Sequence, residues 1–369
     1  MDVLYLSISM GAGHLRAAEA LKEYVEQRYP DSRSLVIDTF KYINPIVHKI
    51  FVDGYLNIIK SIPFAYGTLY RMSEQMDNIN KLSNTLSKFF SYKLIKVIED
   101  FNPSIIVCTH PFPLQIVSCL KRDEKIDIPS VGILTDYVNH PFWFHDNIEA
   151  YVVAHNSIKR DMVKCGIPEN RVYSYGIPVS KVFLRKTSRD KLLEKFGLED
   201  KVTVLIMGGS LGFGDIKGVF FSLLRSRRDI QIIVVTGKNK RLRQQLQRYV
   251  VQYDKKVLLI GYTDEICDLM DISDLILTKP GGMTISEALI KGLPIFLMTP
   301  IPGQEERNSS FLTSNGVAEK IDNEMDVQRV INEVLDNRNK LLYMKDKSKE
   351  LSLPNSGYKI LQLMEELVI

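Results

Sequence analysis

Apolar residues recur along this chain in short unbroken runs, each closed by a small or polar cluster and followed by residues at helical spacing. Asp2 to Ser9 is the first run; Ser34 to Asp38, Ser104 to Cys108, Ser130 to Leu134, Tyr151 to Ala154 and Val172 to Tyr175 follow. Runs of this length without polar alternation read as strands of a parallel sheet covered on both faces. Leu15 to Arg28 reads as the first crossover helix, with Ala17, Ala18, Leu21 and Val25 on its apolar face, and Ser157 to Cys165 as another. A polar, helical connecting region spans Arg185 to Glu199. The rhythm then restarts with strands at Val202 to Met207, Ile230 to Val235, Val257 to Ile260, Asp274 to Thr278, Pro294 to Met298 and Val317 to Ile321. Helices are expected over Ile216 to Leu224, Asp264 to Met270, from Met283 or Thr284, from Met325, and from Tyr358 to Val368. The fold class is α/β, with two Rossmann-like domains, residues 1–178 and 179–355, and a C-terminal helix, 356–369, crossing back to the first. No internal repeat or low-complexity segment interrupts the pattern.

Composition narrows this only a little. The 369 residues are 45% hydrophobic and 25% charged, in the range of globular domains, and the net charge of +4 is too small to imply nucleic acid. Four widely spaced cysteines without a CxxC pair fit reduced thiols rather than a disulfide framework or a zinc site. The N-terminus lacks the basic start and cleavage site of a signal peptide, and no apolar run approaches the ~20 residues that span a bilayer. The expectation is a cytoplasmic protein with at most peripheral membrane contact.

The breaks between strands and helices carry the candidate chemistry. Lys279-Pro280-Gly281-Gly282 ends a strand, and the helix that follows offers amide N–H groups to an anion such as a diphosphate. Glu287, one turn into that helix, could accept hydrogen bonds from a ribose diol. The alternative is an ordinary Gly-Gly turn. A loop from Thr299 to Glu306 brings polar side chains, among them Gln304 and Glu305, to the same edge, where open α/β sheets bind ligands. The glycine-rich loop Gly208 to Gly214, with Gly209, Ser210 and Gly212, offers further amides to phosphate but lacks a Walker ending. Main-chain groups at Gly261-Tyr262-Thr263 could read a nucleobase edge. The basic helix carrying Lys238, Lys240, Arg241, Arg243 and Arg248 reads as a solvated face. In the first half, Gly11-Ala12-Gly13-His14 is a weak Gly-x-Gly turn. His14 could act there as acid or base, or simply cap the turn. Strand ends at Thr109-His110-Pro111 and Thr135-Asp136-Tyr137 deliver His110 and Asp136 to the edge that carries His14, a plausible acid/base constellation.

Two stretches suggest an apolar partner. Between Phe40 and Met72, aromatic residues are interleaved with Lys41, Lys49, Lys60 and Arg71, and Asp53 alone is acidic. That mixture suits rings at headgroup level with cations toward anionic lipid, or else helices packed over the sheet with solvated lysines. The only Trp, Trp143, lies between Phe142 and Phe144 in a loop that could touch lipid, line an acceptor channel or pack inward.

Taken together, the GAGH turn, the TD…HPFWFH stretch and the block KPGGMTISEALIKGLPIFLMTPIPGQEERNS resemble one family over nearly the whole chain. They are similar to the monogalactosyldiacylglycerol synthases and processive diacylglycerol glucosyltransferases, relatives of the peptidoglycan lipid II N-acetylglucosaminyltransferase. The resemblance implies a GT-B glycosyltransferase whose two domains face a cleft, with a UDP-sugar held by the C-terminal domain and diacylglycerol approached by the N-terminal one. It implies that Gly281, Gly282 and Thr284 meet the diphosphate, Glu287 the ribose, and Gln304 with Glu305 the hexose hydroxyls. Gly13 and His14 would lie at the acceptor and anionic-lipid end, with His110 and Asp136 nearby. The donor is expected to be UDP-glucose or UDP-galactose, a substrate rather than a cofactor. With no DxD pair, helix N-termini and loop amides would replace a metal. The alternatives are another lipid acceptor, a UDP-sugar 2-epimerase of the same fold, or a non-catalytic nucleotide-sugar sensor at the membrane.

Overall fold

Parallel strands buried on both faces require helices above and below the sheet, and the chain supplies them twice. The computed structural model describes residues 1–9, 11–44, 46, 49, 54, 91–212 and 214–369. The expected aromatic-basic segment lies mostly outside the described residues, Lys60 included. The chain divides into two units. Unit 1 comprises Met1–Lys181, Ile301–Gln304 and Leu353–Ile369, and unit 2 comprises Val182–Pro300 and Glu305–Ser352.

In unit 1 the strands β1 (Val3–Ser7), β2 (Ser34–Asp38), β3 (Ile105–Cys108), β4 (Ser130–Ile133), β5 (Ala150–Val152) and β6 (Val172–Tyr173) form one sheet. Their order is β2-β1-β3-β4-β5-β6 and all pairs are parallel. Every residue of β1, β3, β4 and β5 is buried, which is why their sequences do not alternate. Helix α1 (Gly13–Arg28) buries Ala17, Ala18, Leu21, Tyr24 and Val25 against the sheet. A short helix α2 (Thr39–Ile43) follows β2, with the Asp38 side chain accepting from the Lys41 amide at its start. Residues 91–101 are helical.

Helix α3 (Pro111–Arg122) was not anticipated, because two prolines in Thr-His-Pro-Phe-Pro look like breakers. Both fall in the first turn, where backbone N–H groups have no intrahelical partner, so the prolines cost nothing and their fixed φ suits a helix start. Leu114, Ile116, Val117 and Leu120 form its buried face. Helix α4 (Asn156–Lys164) joins β5 to β6 and buries Ile158 and Met162.

Unit 2 opens with α5 (Arg189–Phe196), shorter than the polar region that predicted it. Its sheet holds β7 (Val202–Met207), β8 (Ile230–Val235), β9 (Val257–Ile260), β10 (Leu275–Thr278), β11 (Ile295–Leu297) and β12 (Ala318–Lys320), in the order β12-β11-β10-β7-β8-β9, all parallel. This is the doubly wound order, with its reversal between β7 and β10. Helices α6 (Ile216–Leu224), α7 (Lys240–Val250), α8 (Ile266–Asp271) and α9 (Gly282–Lys291) connect the strands. The loop after β11 is shorter than expected. Gly303 takes φ +96°, and helix α10 (Gln304–Ser314) starts at once. Glu305 and Glu306 in its first turn complement the positive end of the helix dipole. The single helix expected from Met325 is two, α11 (Asp326–Asp336) and α12 (Arg338–Leu351), because the Asn337 side chain accepts from the Lys340 amide and caps a new start.

The final helix, α13 (Ser356–Val368), belongs to unit 1 and packs on α1 and β3. Ile360, Leu361, Leu363 and Met364 join the core under α1. Tyr24 and Tyr358 meet edge to face at 4.8 Å, and the Ser356 hydroxyl donates to the Gly176 carbonyl at 3.0 Å.

Candidate functional site

The connections from β1 and β3 leave the sheet of unit 1 on opposite sides, so a crevice opens at the carboxyl ends of these two strands. His14 sits there in the first turn of α1, and His110 caps α3 directly after β3. Their rings meet edge to face with centroids 4.7 Å apart. The register that aligns Leu6 with Cys108 is the reason: both histidines follow strand ends that lie side by side. The Thr109 hydroxyl donates to Ser7 Oγ at 2.9 Å and ties the two strand ends together.

The hydrogen bonds define which ring nitrogens are available. His14 Nδ1 lies 2.8 Å from the Thr109 carbonyl oxygen and 2.8 Å from Thr135 Oγ1. A carbonyl only accepts, so Nδ1 carries the proton and the neutral ring keeps its lone pair on Nε2. His110 is the opposite tautomer: its Nδ1 accepts the Phe112 amide at 3.1 Å, which leaves the proton on Nε2. Burial holds the His14 pKa below the ordinary histidine value, against the opposing pull of the Asp136 carboxylate and the Thr109 carbonyl. Burial, reinforced by His14, pushes His110 well below it. Both rings are therefore neutral near pH 7. Asp136 follows β4, and within unit 1 the Gln304 amide donates to its carboxylate. His14, His110 and Asp136 are thus brought together. Thr109 and Thr135, which orient His14, were not singled out in the sequence, although both stand at strand ends beside the residues that were.

Among the residues expected at an acceptor or membrane surface, Gly13 opens α1 and Lys49 is exposed, while Lys60 lies outside the described residues. Pro141–Trp143 forms a 3₁₀ turn capped by His140, whose Nδ1 accepts the Phe142 amide at 3.2 Å. This turn packs on α3 and divides the two rings: Trp143 is 6% exposed and Phe142 38%. Of the readings the sequence left open for this loop, inward packing holds for Trp143, which supports the loop from inside, while Phe142 faces outward. Tyr42, Ile46 and Tyr92 are also exposed, beside exposed Lys41.

In unit 2 the crevice lies between the carboxyl ends of β7 and β10. Gly209 and Gly212, after β7, take φ +69° and +62°. The next loop interlocks with theirs: the Lys238 amide donates to the Ser210 carbonyl at 2.9 Å, and a Cβ on Gly237 would stand 2.5 Å from that same oxygen. Tyr262, after β9, is half exposed with Lys238 Nζ 5.6 Å from its ring centre. After β10, Gly281 is extended and caps α9, whose first turn holds Gly282 and Thr284. Glu287 is buried in the same helix. The Asn308 side chain donates to the Pro280 carbonyl at 2.9 Å, fixing that turn from α10. Lys279 pairs with Glu305 at 2.5 Å. Gly209, Ser210, Gly212, Tyr262, Gly281, Gly282 and Thr284 therefore share the carboxyl edge of one sheet. Gln304, expected with them, groups with unit 1 instead. Lys279 and Gly237, which the sequence did not single out as candidates, lie at the same edge, and a lysine ending a strand before Pro-Gly-Gly was a readable signal.

The family described as monogalactosyldiacylglycerol (MGDG) synthase matches residues 14–179, and the glycosyltransferase family 28 C-terminal domain matches residues 203–360. A processive diacylglycerol beta-glucosyltransferase of Bacillus licheniformis is 31% identical over 98% of this chain and 93% of its own. Among solved structures, MurG of Acinetobacter baumannii superposes with a TM-score of 0.61 at 15% identity over 99% of each chain. A UDP-GlcNAc 2-epimerase from Neisseria meningitidis, solved with UDP-GlcNAc, gives 0.62 at 16% identity over 99% of this chain and 100% of its own. At such identities the structures show the shared GT-B fold alone, whereas the sequence relatives show the family. The chain belongs to the monogalactosyldiacylglycerol synthase and processive diacylglycerol beta-glucosyltransferase family.

Proposed function

We propose that this glycosyltransferase moves a hexose from a UDP-sugar to the free hydroxyl of diacylglycerol, inverting the anomeric centre to give a β-glycoside. Glucose is the favoured hexose, because glucosyl transfer is the activity of the relative that matches 98% of the chain. The observation that carries the mechanism is the neutral His14 ring, whose bonded Nδ1 leaves a basic Nε2 at the carboxyl ends of β1 and β3. Nε2 takes the proton of the acceptor hydroxyl as its oxygen bonds to the anomeric carbon. The bond from that carbon to the diphosphate breaks, and UDP leaves with the electron pair. The imidazolium so formed is stabilised by the Asp136 carboxylate. His110 presents Nε2–H rather than a lone pair, which suits a hydrogen-bond donor to the acceptor and not the base.

The donor belongs to unit 2, with its diphosphate at the glycine loops and the start of α9, its ribose at Glu287 and its uracil at Tyr262. Loop amides and the helix dipole stabilise the departing charge without a metal ion. The exposed Phe142, Tyr42 and Ile46, with Lys41 and Lys49, suit contact with an anionic bilayer at the inner face of the cell membrane. Among the described residues no helix is long and apolar enough to cross a membrane.

The test is product formation by the purified chain with UDP-glucose or UDP-galactose, on diacylglycerol in anionic vesicles containing EDTA. A glucosylated product is expected. UDP binding without any glycolipid sinks the acceptor reading, and a product only with galactose corrects the donor.

A further inference from the structure

Lys279, at the carboxyl edge of the unit 2 sheet, is a cation that the proposed donor site does not yet use. Lys279 follows β10 on one side of the crevice, and the Gly209 loop follows β7 on the other. The side chain crosses between them: a Cβ built on Gly209 would lie 3.2 Å from Lys279 Cε. Gly209 thus makes room for the lysine stem as well as taking a left-handed φ. The ammonium group reaches Glu305 in the first turn of α10, with side-chain exposures of 23% and 12%. The turn bearing Lys279 is itself fixed, by Asn308 on the Pro280 carbonyl and by the Gly281 amide on the Lys279 carbonyl at 2.8 Å.

This arrangement suits more than a structural tie. A lysine ammonium has three donors, and Glu305 at one contact leaves others for oxygens of a second anion. Lys279 stands directly before the Gly281–Gly282 start of α9 and against the Gly209 loop, the two places proposed above to receive the diphosphate. A half-buried carboxylate partner also keeps the cation in place before the ligand arrives, so little side-chain entropy is lost on binding.

We propose that Lys279 is the fixed cation for the donor's diphosphate, and that Glu305 positions it. This rests on the reading of unit 2 as the UDP-sugar site. Lys279 supplies the counter-charge as UDP departs, the role a divalent metal plays in other transferases.

Isothermal titration of the full chain with UDP and with uridine tests it. Lys279→Met should weaken UDP by about ten- to a hundredfold and leave uridine unchanged, because only UDP carries the diphosphate. Lys279→Arg, which keeps the charge, should stay within about fivefold of the wild type for UDP. Glu305→Gln should weaken UDP by less than Lys279→Met does and leave uridine unchanged, because the ammonium stays but loses the carboxylate that holds it in place. Thermal unfolding without ligand shows whether each variant is folded. Equal losses for UDP and uridine, or no loss in a folded Lys279→Met chain, would overturn the assignment and make the pair a structural tie. If the wild type makes glycolipid while Lys279→Met binds UDP normally, this proposal fails alone. If the wild type binds no UDP, it falls together with the donor reading.

Discussion

His14 is neutral because burial outweighs the two groups that favour its charged form, and that balance sets a measurable pH profile. A base must be unprotonated, so activity rises with pH through the His14 pKa and is level above it. The lowered value puts that acid limb below the ordinary histidine pKa of about 6.5. A limb centred above pH 7 in kcat/KM would remove His14 as the base. Asp136→Asn deletes the main charge that raises the His14 pKa, so the limb should move to still lower pH while the plateau rate falls. His14→Ala should lower kcat by about a hundredfold or more and leave UDP affinity alone, since His14 belongs to unit 1 and the proposed nucleotide site to unit 2. An effect on KM only would make it a binding residue. Residue chemistry was the most legible layer of the sequence: His14, His110 and Asp136 were all named from their positions after strands. Their division of labour was not legible, because a tautomer depends on which carbonyl or amide lies opposite each nitrogen. Thr109 O and the Phe112 amide supply that information only in the fold.

At the scale of elements, strands read well and helix starts less so. Buried parallel strands announce themselves because neither face can be polar. Helix α3 was hidden by its own prolines, and the polar face of α10 looked like a continued loop. Capping side chains decide such starts, and here His110, His140 and His155 each accept the amide two residues on, at 3.1 to 3.2 Å. The docking of α13 on α1 gives a direct test of element packing. Gly357 is the contact point, where a Cβ would come within 2.3 Å of the Tyr24 ring and leave no room for a methyl group. Gly357→Ala should therefore destabilise unit 1 by about 1–3 kcal/mol through overpacking, seen as a lower midpoint in thermal or urea unfolding. An unchanged midpoint would mean that α13 shifts without cost and does not hold α1 in place.

For the whole molecule, two separate cores predict two separable responses. With the proposed donor site in unit 2, UDP should raise the transition of that unit in calorimetry, by about 2.7 kcal/mol of stability at a hundredfold excess over Kd. A ligand shift confined to the other transition would misplace the nucleotide. Acid should act first on unit 1, which holds His14, His110 and His145 as neutral rings. Burial brings His145 to about 4. A depressed histidine pKa means that the unfolded chain binds more protons between the two values, so stability is full above about pH 6.5 and falls as pH drops toward the folded value. His145 alone accounts for about 3 kcal/mol across that window, and His145→Phe should flatten the acid limb of unit 1 stability. What the sequence determined by itself was the pair of doubly wound sheets, the glycine turns that end their strands and the family they mark. Hydrophobic periodicity and backbone-demanding residues are local signals that need no partner to be read. Only the tertiary structure decided that Trp143 faces inward, which nitrogen of His14 is free, and that Lys279 packs against Gly209 and reaches Glu305. Each of those depends on a neighbour far away in the chain, brought close by strand order rather than by spacing.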